Sequence, residues 1–410
     1  MKAKKMIFNL IRSGRISVKK RIIIVFSLSL LLFGCGSNNV EEVVSSNEPI
    51  ALDESSVSEE DVSIDEVLDV SENDEAFVEP EESHEGMYRS ELTNEWIDEE
   101  LKDQRPMAVM VDNEIYALPH YGLNKNADVV YEIMNSTANG RITRLMVLVK
   151  DWKNLEQFGS VRSVRPTNFM LAAEYNAVII HDGGPFYINE YLSKGYVNHL
   201  SGGFARFSNG KATEFTEYVT SEDYYNPTKG KSYDGLIDRM KTANYSETYN
   251  DYYPGEHFTF SEDEYKLSET EKDASSIKDA KEIDVPFPHN SSRLVYNDEN
   301  GLYEYYEYGE GHVDPLDDNK ILGFKNVIIY PCPFKQLDQN GYLVYHVVGS
   351  GEEGYYITNG EAIPITWSKA GETELTVYKN KNTGEEITLN TGKTYIGIVP
   401  SDAWGNLSIN

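Results

Sequence analysis

Between Gly36 and Glu100 the chain holds one basic residue, Arg89, among runs of acids such as Glu59-Glu60-Asp61 and Glu79-Pro80-Glu81-Glu82. Like charges repel, and few large apolar side chains are present to bury. Such a segment cannot offset the entropy lost on ordering it. Residues 35–100 therefore read as a disordered acidic stalk, which confines the fold to the residues beyond 100. The whole chain carries a net charge of −31, with hydrophobic residues at 40% of its 410 positions. That is ample for a core, and it argues against nucleic acid as a partner, because phosphate binding needs a basic surface.

The first 34 residues have the opposite composition. They contain eight Lys or Arg and no acid, and end in Lys19-Lys20-Arg21, an apolar run from Ile22 to Phe33, then Gly34-Cys35. A basic start, a short apolar core and a small residue at the cut describe a secretory signal, and the apolar run is too short to span a bilayer. Leu32-Phe33-Gly34-Cys35 resembles the lipobox of bacterial lipoproteins, although a smaller residue is usual where Phe33 stands. That resemblance implies an acylated Cys35 and a chain held at the outer face of the cytoplasmic membrane. An uncleaved membrane anchor is the alternative. Cys332, between Pro331 and Pro333 at the end of an apolar strand, reads as an inert structural thiol.

Order is expected from Arg105-Pro106. Met107 to Val111, Ala127 to Glu132, Ile142 to Val149 and Ala177 to Ile180 are short apolar runs of buried-strand type. Pro166 stands where a first helical residue is favoured, with Phe169, Met170 and Ala173 after it at helical spacing. Pro185 marks a second helix, with Gly195 as its cap. This alternation predicts an N-terminal α/β domain with a mixed sheet over 101–280. Its polar part, 200–280, carries one helix, from Tyr233 to Asn244. From 281 to 410, short strands with Asn359-Gly360 and Thr383-Gly384 turns predict a mainly antiparallel β domain. The mixed run Tyr303, Tyr305, Tyr306 and Tyr308 fits a half-buried strand better than a ligand-stacking surface.

Several ordered segments resemble the YerB-type bacterial lipoprotein family. They are Arg105 to Asn113, Ala127 to Glu132, Gly140-Arg141-Ile142-Thr143-Arg144 (with Arg141 differing), Gly159 to Pro166, His181-Asp182-Gly183-Gly184, and Gly349 through Trp367 to Val399-Pro400. The resemblance spans roughly 105–400. It implies a two-domain envelope lipoprotein and no established activity.

Five arginines, Arg105, Arg141, Arg144, Arg162 and Arg165, lie close together in this acidic chain. A guanidinium is a planar fork matched to carboxylate or phosphate. Asp112, Glu132 and the pair His181-Asp182 fall at predicted strand ends, where α/β sheets bind ligands. Three readings are open. The arginines pair internally with Asp112, Glu132 and Asp128. Or Arg105, Arg141, Arg144, Arg162 and Arg165 with Asp112 and Glu132 form an anion site for an envelope polymer such as peptidoglycan, or for an envelope protein. Or His181 or Asp182 acts as general base of a glycan or phosphodiester hydrolase, the arginines stabilising developing charge. No nucleophile elbow, phosphate-binding loop or metal motif is present, so no cofactor and no metal is expected; His199 and His120 are candidate partners of His181.

Overall fold

The computed structural model describes residues 84–410 except 272 and 273. The leader, Cys35 and the stalk up to 83 lie outside the described residues.

A central sheet runs through both halves of the chain. Its strand order is Lys278–Asp279, Glu361–Lys369, Tyr355–Thr358, Asn326–Cys332, Thr394–Pro400, Val129–Met134, Thr143–Val149, Met107–Asp112, Val178–His181 and Asn198–Ser201. The halves join where Thr394–Pro400 runs parallel to Val129–Met134, with Thr394 opposite Val129 and Ile398 opposite Ile133. Both strands are buried along their whole length. An N-terminal sheet ending at Val129–Met134 would leave an apolar edge unpaired, and the C-terminal strand covers it. The two expected domains therefore share one sheet, and Thr394–Pro400 is parallel to both its neighbours rather than antiparallel.

The α/β expectation for the first half needs correction. Among the described residues only two helices reach eight residues, Pro166–Ala173 and Leu236–Ala243. The Pro185 segment makes a 3-10 turn, Phe186–Ile188, and one helical turn, Asn189–Leu192. The sheet is mixed as expected, but Thr143–Val149 runs antiparallel to both neighbours, so its connections need no crossover helix. Among the described residues strands far outnumber helices.

Alternation along the strands sorts the core. Ala108, Met110, Tyr131, Met146, Ile328 and Ile396 face the Pro166 helix, joined by its Phe169 and Leu171. Val109, Val130, Val147 and Val327 face the opposite side, under the Leu236 helix and a second, antiparallel sheet that includes Arg293–Asn297 and Leu302–Glu307. In that second sheet Tyr303 and Tyr305 are buried while Tyr306 is half-buried, the amphipathic strand expected.

The stalk boundary also moves. Met87–Arg89 pairs with Trp96–Asp98 in a hairpin, and Leu92 is buried. The Lys150 ammonium, buried in the core, is 2.6 Å from Glu91 Oε1 and donates to the Gln104 carbonyl at 2.6 Å. An acid that neutralises a buried cation orders the segment that carries it, which net charge alone does not reveal.

Candidate functional site

The site forms at one edge of the central sheet. Val178–His181 pairs with the Met107–Asp112 strand only as far as Val109, and with Asn198–Ser201 on its other side. Beyond Val109 the segment 160–164 slips between these two strands. Asp112 N–H donates to the Ser160 carbonyl at 2.9 Å and Arg162 N–H to Met110 at 2.9 Å; on the other side Asp182 N–H donates to Arg162 at 3.0 Å. This wedge carries Arg162 and Arg165 to the sheet edge, where Arg165 holds the N-cap position of the Pro166 helix and its N–H donates to Asn168 Oδ1 at 2.9 Å. Arg144 is the cross-strand partner of Asp112 and faces the same way. A turn from the C-terminal half adds Asn340 and Tyr342. Gly341 lets it approach the 136–138 loop, since a Cβ there would lie 2.6 Å from Ala138 N.

The result is a cleft of about 530 Å³ lined by Arg144, Arg162, Arg165 and Asp112, with Asn135, Ser136, Tyr116, Phe215 and Tyr342 around them and Glu114 and Glu214 also in the lining. Asp112 is fully buried, 2.7 Å from Arg162 Nε and 3.6 Å from Arg144. Arg162 also reaches the exposed Glu214 at 3.2 Å. Arg144 donates to the Ser163 carbonyl and hydroxyl at 2.8 and 2.9 Å, and its Nε has no hydrogen-bond partner among the described residues. Arg165 is 8% exposed. It donates to the carbonyls of Asn135 and Val164 and to the Ser163 hydroxyl, and lies 4.9 Å over the Tyr342 ring. Among the described residues it has no carboxylate partner. Burial first, then the charge of Arg144, pushes its guanidinium below the usual range. Burial also lowers Arg144, with Asp112 opposing and Arg162 adding to the push. A guanidinium stays protonated in proteins, so all three arginines bring positive charge to the cleft, with Asp112 as the one buried carboxylate among them.

The other predicted residues lie elsewhere. Glu132 is on the opposite face of the sheet from Asp112, as period-two alternation requires. It is fully buried and accepts from Thr143, Ser292, Tyr305 and Tyr395 at 2.7–3.0 Å. Burial pushes its carboxyl up to about 7. Arg105 is buried against the Asn176 carbonyl and the Asn198 side chain. Arg141 forms a forked pair with Asp402 at 2.7 and 2.9 Å. Of the five arginines, three meet in the cleft.

His181 and Asp182 do not line it, because the 160–164 wedge stands between. His181 is buried, with Nδ1 2.8 Å from the Gly183 carbonyl and Nε2 3.0 Å from His199 Nδ1. Burial lowers it to about 4. Both nitrogens are engaged, and Asp182 pairs with Arg206. His199 is therefore its partner, and His120 is not. His120 belongs to the one three-residue group of metal-ligand type among the described residues, His120, Glu307 and His312. These form a chain rather than a cage: Glu307 Oε1 to His312 Nδ1 is 2.8 Å, and His312 Nε2 to His120 Nδ1 is 3.1 Å. The nitrogens that face one another are occupied by these contacts. Tyr116, Asn135, Phe215 and Tyr342 also line the cleft and have no mark in the sequence, since isolated loop residues carry no spacing signal.

The chain matches the protein family of unknown function DUF3048, its N-terminal domain over residues 92–234 and its C-terminal domain over 283–396, together more than half of the chain. It is 25% identical over 317 residues to "Putative lipoprotein YerB" of Bacillus subtilis (strain 168), covering 76% of this chain and 86% of that protein. The crystal structure of the YerB protein from Bacillus subtilis superposes with a TM-score of 0.59 at 21% identity, over 78% of this chain and 99% of that one.

Proposed function

The chain belongs to the DUF3048 family of YerB-type proteins, and from that membership we propose that it is a lipid-anchored protein outside the cytoplasmic membrane whose arginine cleft binds an anionic group of an envelope polymer. The carrying observation is Arg165, nearly buried, without a carboxylate partner among the described residues, beside Arg144 and Arg162 in one cleft. Two or three guanidinium groups around an open volume match the oxygens of a carboxylate or phosphate. Tyr116, Phe215 and Tyr342 add apolar faces, and Asn135 and Ser136 add polar groups, for whatever carries the charge. Peptidoglycan fragments, with their carboxylates and sugars, have this chemistry.

The anchor reading rests on the basic leader, its apolar run and Gly34-Cys35, and on a relative named as a lipoprotein. No helix of the described residues is long and apolar enough to cross a membrane. Labelled palmitate is expected on the wild type and not on Cys35→Ala; an unlabelled wild type would refute the anchor.

The cleft is tested by thermal melts in sulfate or phosphate, with chloride at matched ionic strength controlling for screening. An anion that binds only the native state raises the melting temperature by mass action. The rise is expected to be larger for the wild type than for the Arg162→Gln, Arg165→Gln protein. Equal responses would remove support for the anion site.

A further inference from the structure

A second cleft, of about 470 Å³, is lined by Tyr121, Gln157, Phe207, Tyr224, Asn226 and Thr228 with their neighbours Ser208, Asn209 and Pro227. We propose that it binds a neutral sugar residue of a glycan. No charged side chain lines it, in a chain where 26% of residues are charged. A charged ligand would find no counter-ion there.

The aromatic groups form a platform. The rings of Phe207 and Tyr224 stack with centroids 4.2 Å apart, and Phe207 is braced edge-on by Tyr218 at 5.4 Å. Tyr218 in turn braces Tyr121 edge-on at 5.7 Å. A pyranose presents one apolar face of C–H groups, which packs on a ring face, and a rim of hydroxyls that both donate and accept.

The polar groups divide into two sets. Asn209 and Asn226 are bound to the protein itself, Asn209 donating to the Phe215 carbonyl and the Tyr218 hydroxyl, Asn226 to the Arg206 carbonyl. They hold the walls. The side chains of Gln157, Tyr121, Tyr224 and Thr228 make no hydrogen bond to the described residues and line the cleft. These four supply donors and acceptors for sugar hydroxyls. Ligand sites commonly have this size and this mixture of rings with a few polar groups.

The cleft shares the 207–215 loop with the arginine cleft, to which that loop gives Glu214 and Phe215. Lys211 ties the loop down by donating to the carbonyls of Ala117 and Leu118, at 2.8 and 2.5 Å. The two clefts are thus built in part on one loop.

The test is saturation-transfer NMR on the full chain, with tetra-N-acetylchitotetraose and cellotetraose as neutral probes. Neither probe carries an anion, so failure here leaves the arginine cleft standing. Transfer to ring protons is expected with the wild type and lost with Tyr224→Ala. Gln157→Ala, at a half-exposed position, is expected to weaken binding roughly fivefold, the loss of one hydrogen bond. A proline-rich decapeptide serves as the competing class. No transfer to either sugar, equal transfer in wild type and both variants, or transfer to the peptide alone would overturn the proposal.

Discussion

The Glu91→Ala protein is expected to lose about 3–5 kcal/mol of stability, the usual cost of leaving a buried charge without its partner. Lys150 and Glu91 have side chains only 2% and 8% exposed and lie 2.6 Å apart. Lys150 also donates to the carbonyls of Gln104 and Lys102 and to the Tyr249 hydroxyl. None of these can neutralise it. Burial already lowers the Lys150 ammonium from its ordinary range, with Glu91 as the largest opposing influence. A chain beginning at 101 should suffer the same loss, since it lacks Glu91 and the hairpin. A chain beginning at 84 should not. The double variant Glu91→Gln, Lys150→Met should recover much of the loss, because it removes the charge rather than stranding it. Urea denaturation measures all four. Glu91→Ala within about 1 kcal/mol of wild type, the range of a surface ion pair, would contradict the account of how residues 84–105 are held.

Asp112→Asn is expected to have a comparable effect with a distinctive rescue. Asp112 is the buried carboxylate between Arg162 and Arg144. Its neutralisation leaves three guanidinium groups at the cleft floor without a buried counter-charge, at a cost of about 3–5 kcal/mol in low salt. Sulfate should then restore stability, and by more than it adds to the wild type, because the cleft it enters has become more positive. Chloride at equal ionic strength should restore little. A variant as stable as wild type, or one that sulfate and chloride rescue equally, would mean that the arginines satisfy one another through local carbonyls and need no anion.

How much of the fold and the cleft is legible in the sequence depends on the kind of signal. Met107 to Val111 and Thr143 to Val149 announce themselves as apolar runs, and Pro166 announces its helix. The pairing of Thr394–Pro400 with Val129–Met134 does not, because it joins strands some 265 residues apart and nothing local fixes the partner of a fully buried strand. Helix content is overread in the first half, where a Pro at 185 starts a 3-10 turn instead. For the site, residue type finds Arg144, Arg162, Arg165 and Asp112. It also collects Arg105 and Arg141, whose partners Asn198 and Asp402 are distant in the chain. Glu132 groups with Asp112 because both end apolar runs, yet strand parity puts them on opposite faces. His181-Asp182 is separated from the arginines by the 160–164 wedge, a feature of backbone hydrogen bonding with no mark in composition.

Arg144, Arg162 and Arg165 are expected to hold an anion together. Selenate, a heavy analogue of sulfate, locates that anion directly by anomalous scattering in crystals of the protein. A selenate is expected with its oxygens within hydrogen-bond reach of the guanidinium groups of Arg165 and at least one of Arg144 and Arg162, and is expected to be lost from the cleft in crystals of Arg165→Gln. Selenate ordered only at other surfaces, with this cleft empty or the same peak persisting in Arg165→Gln, would contradict it.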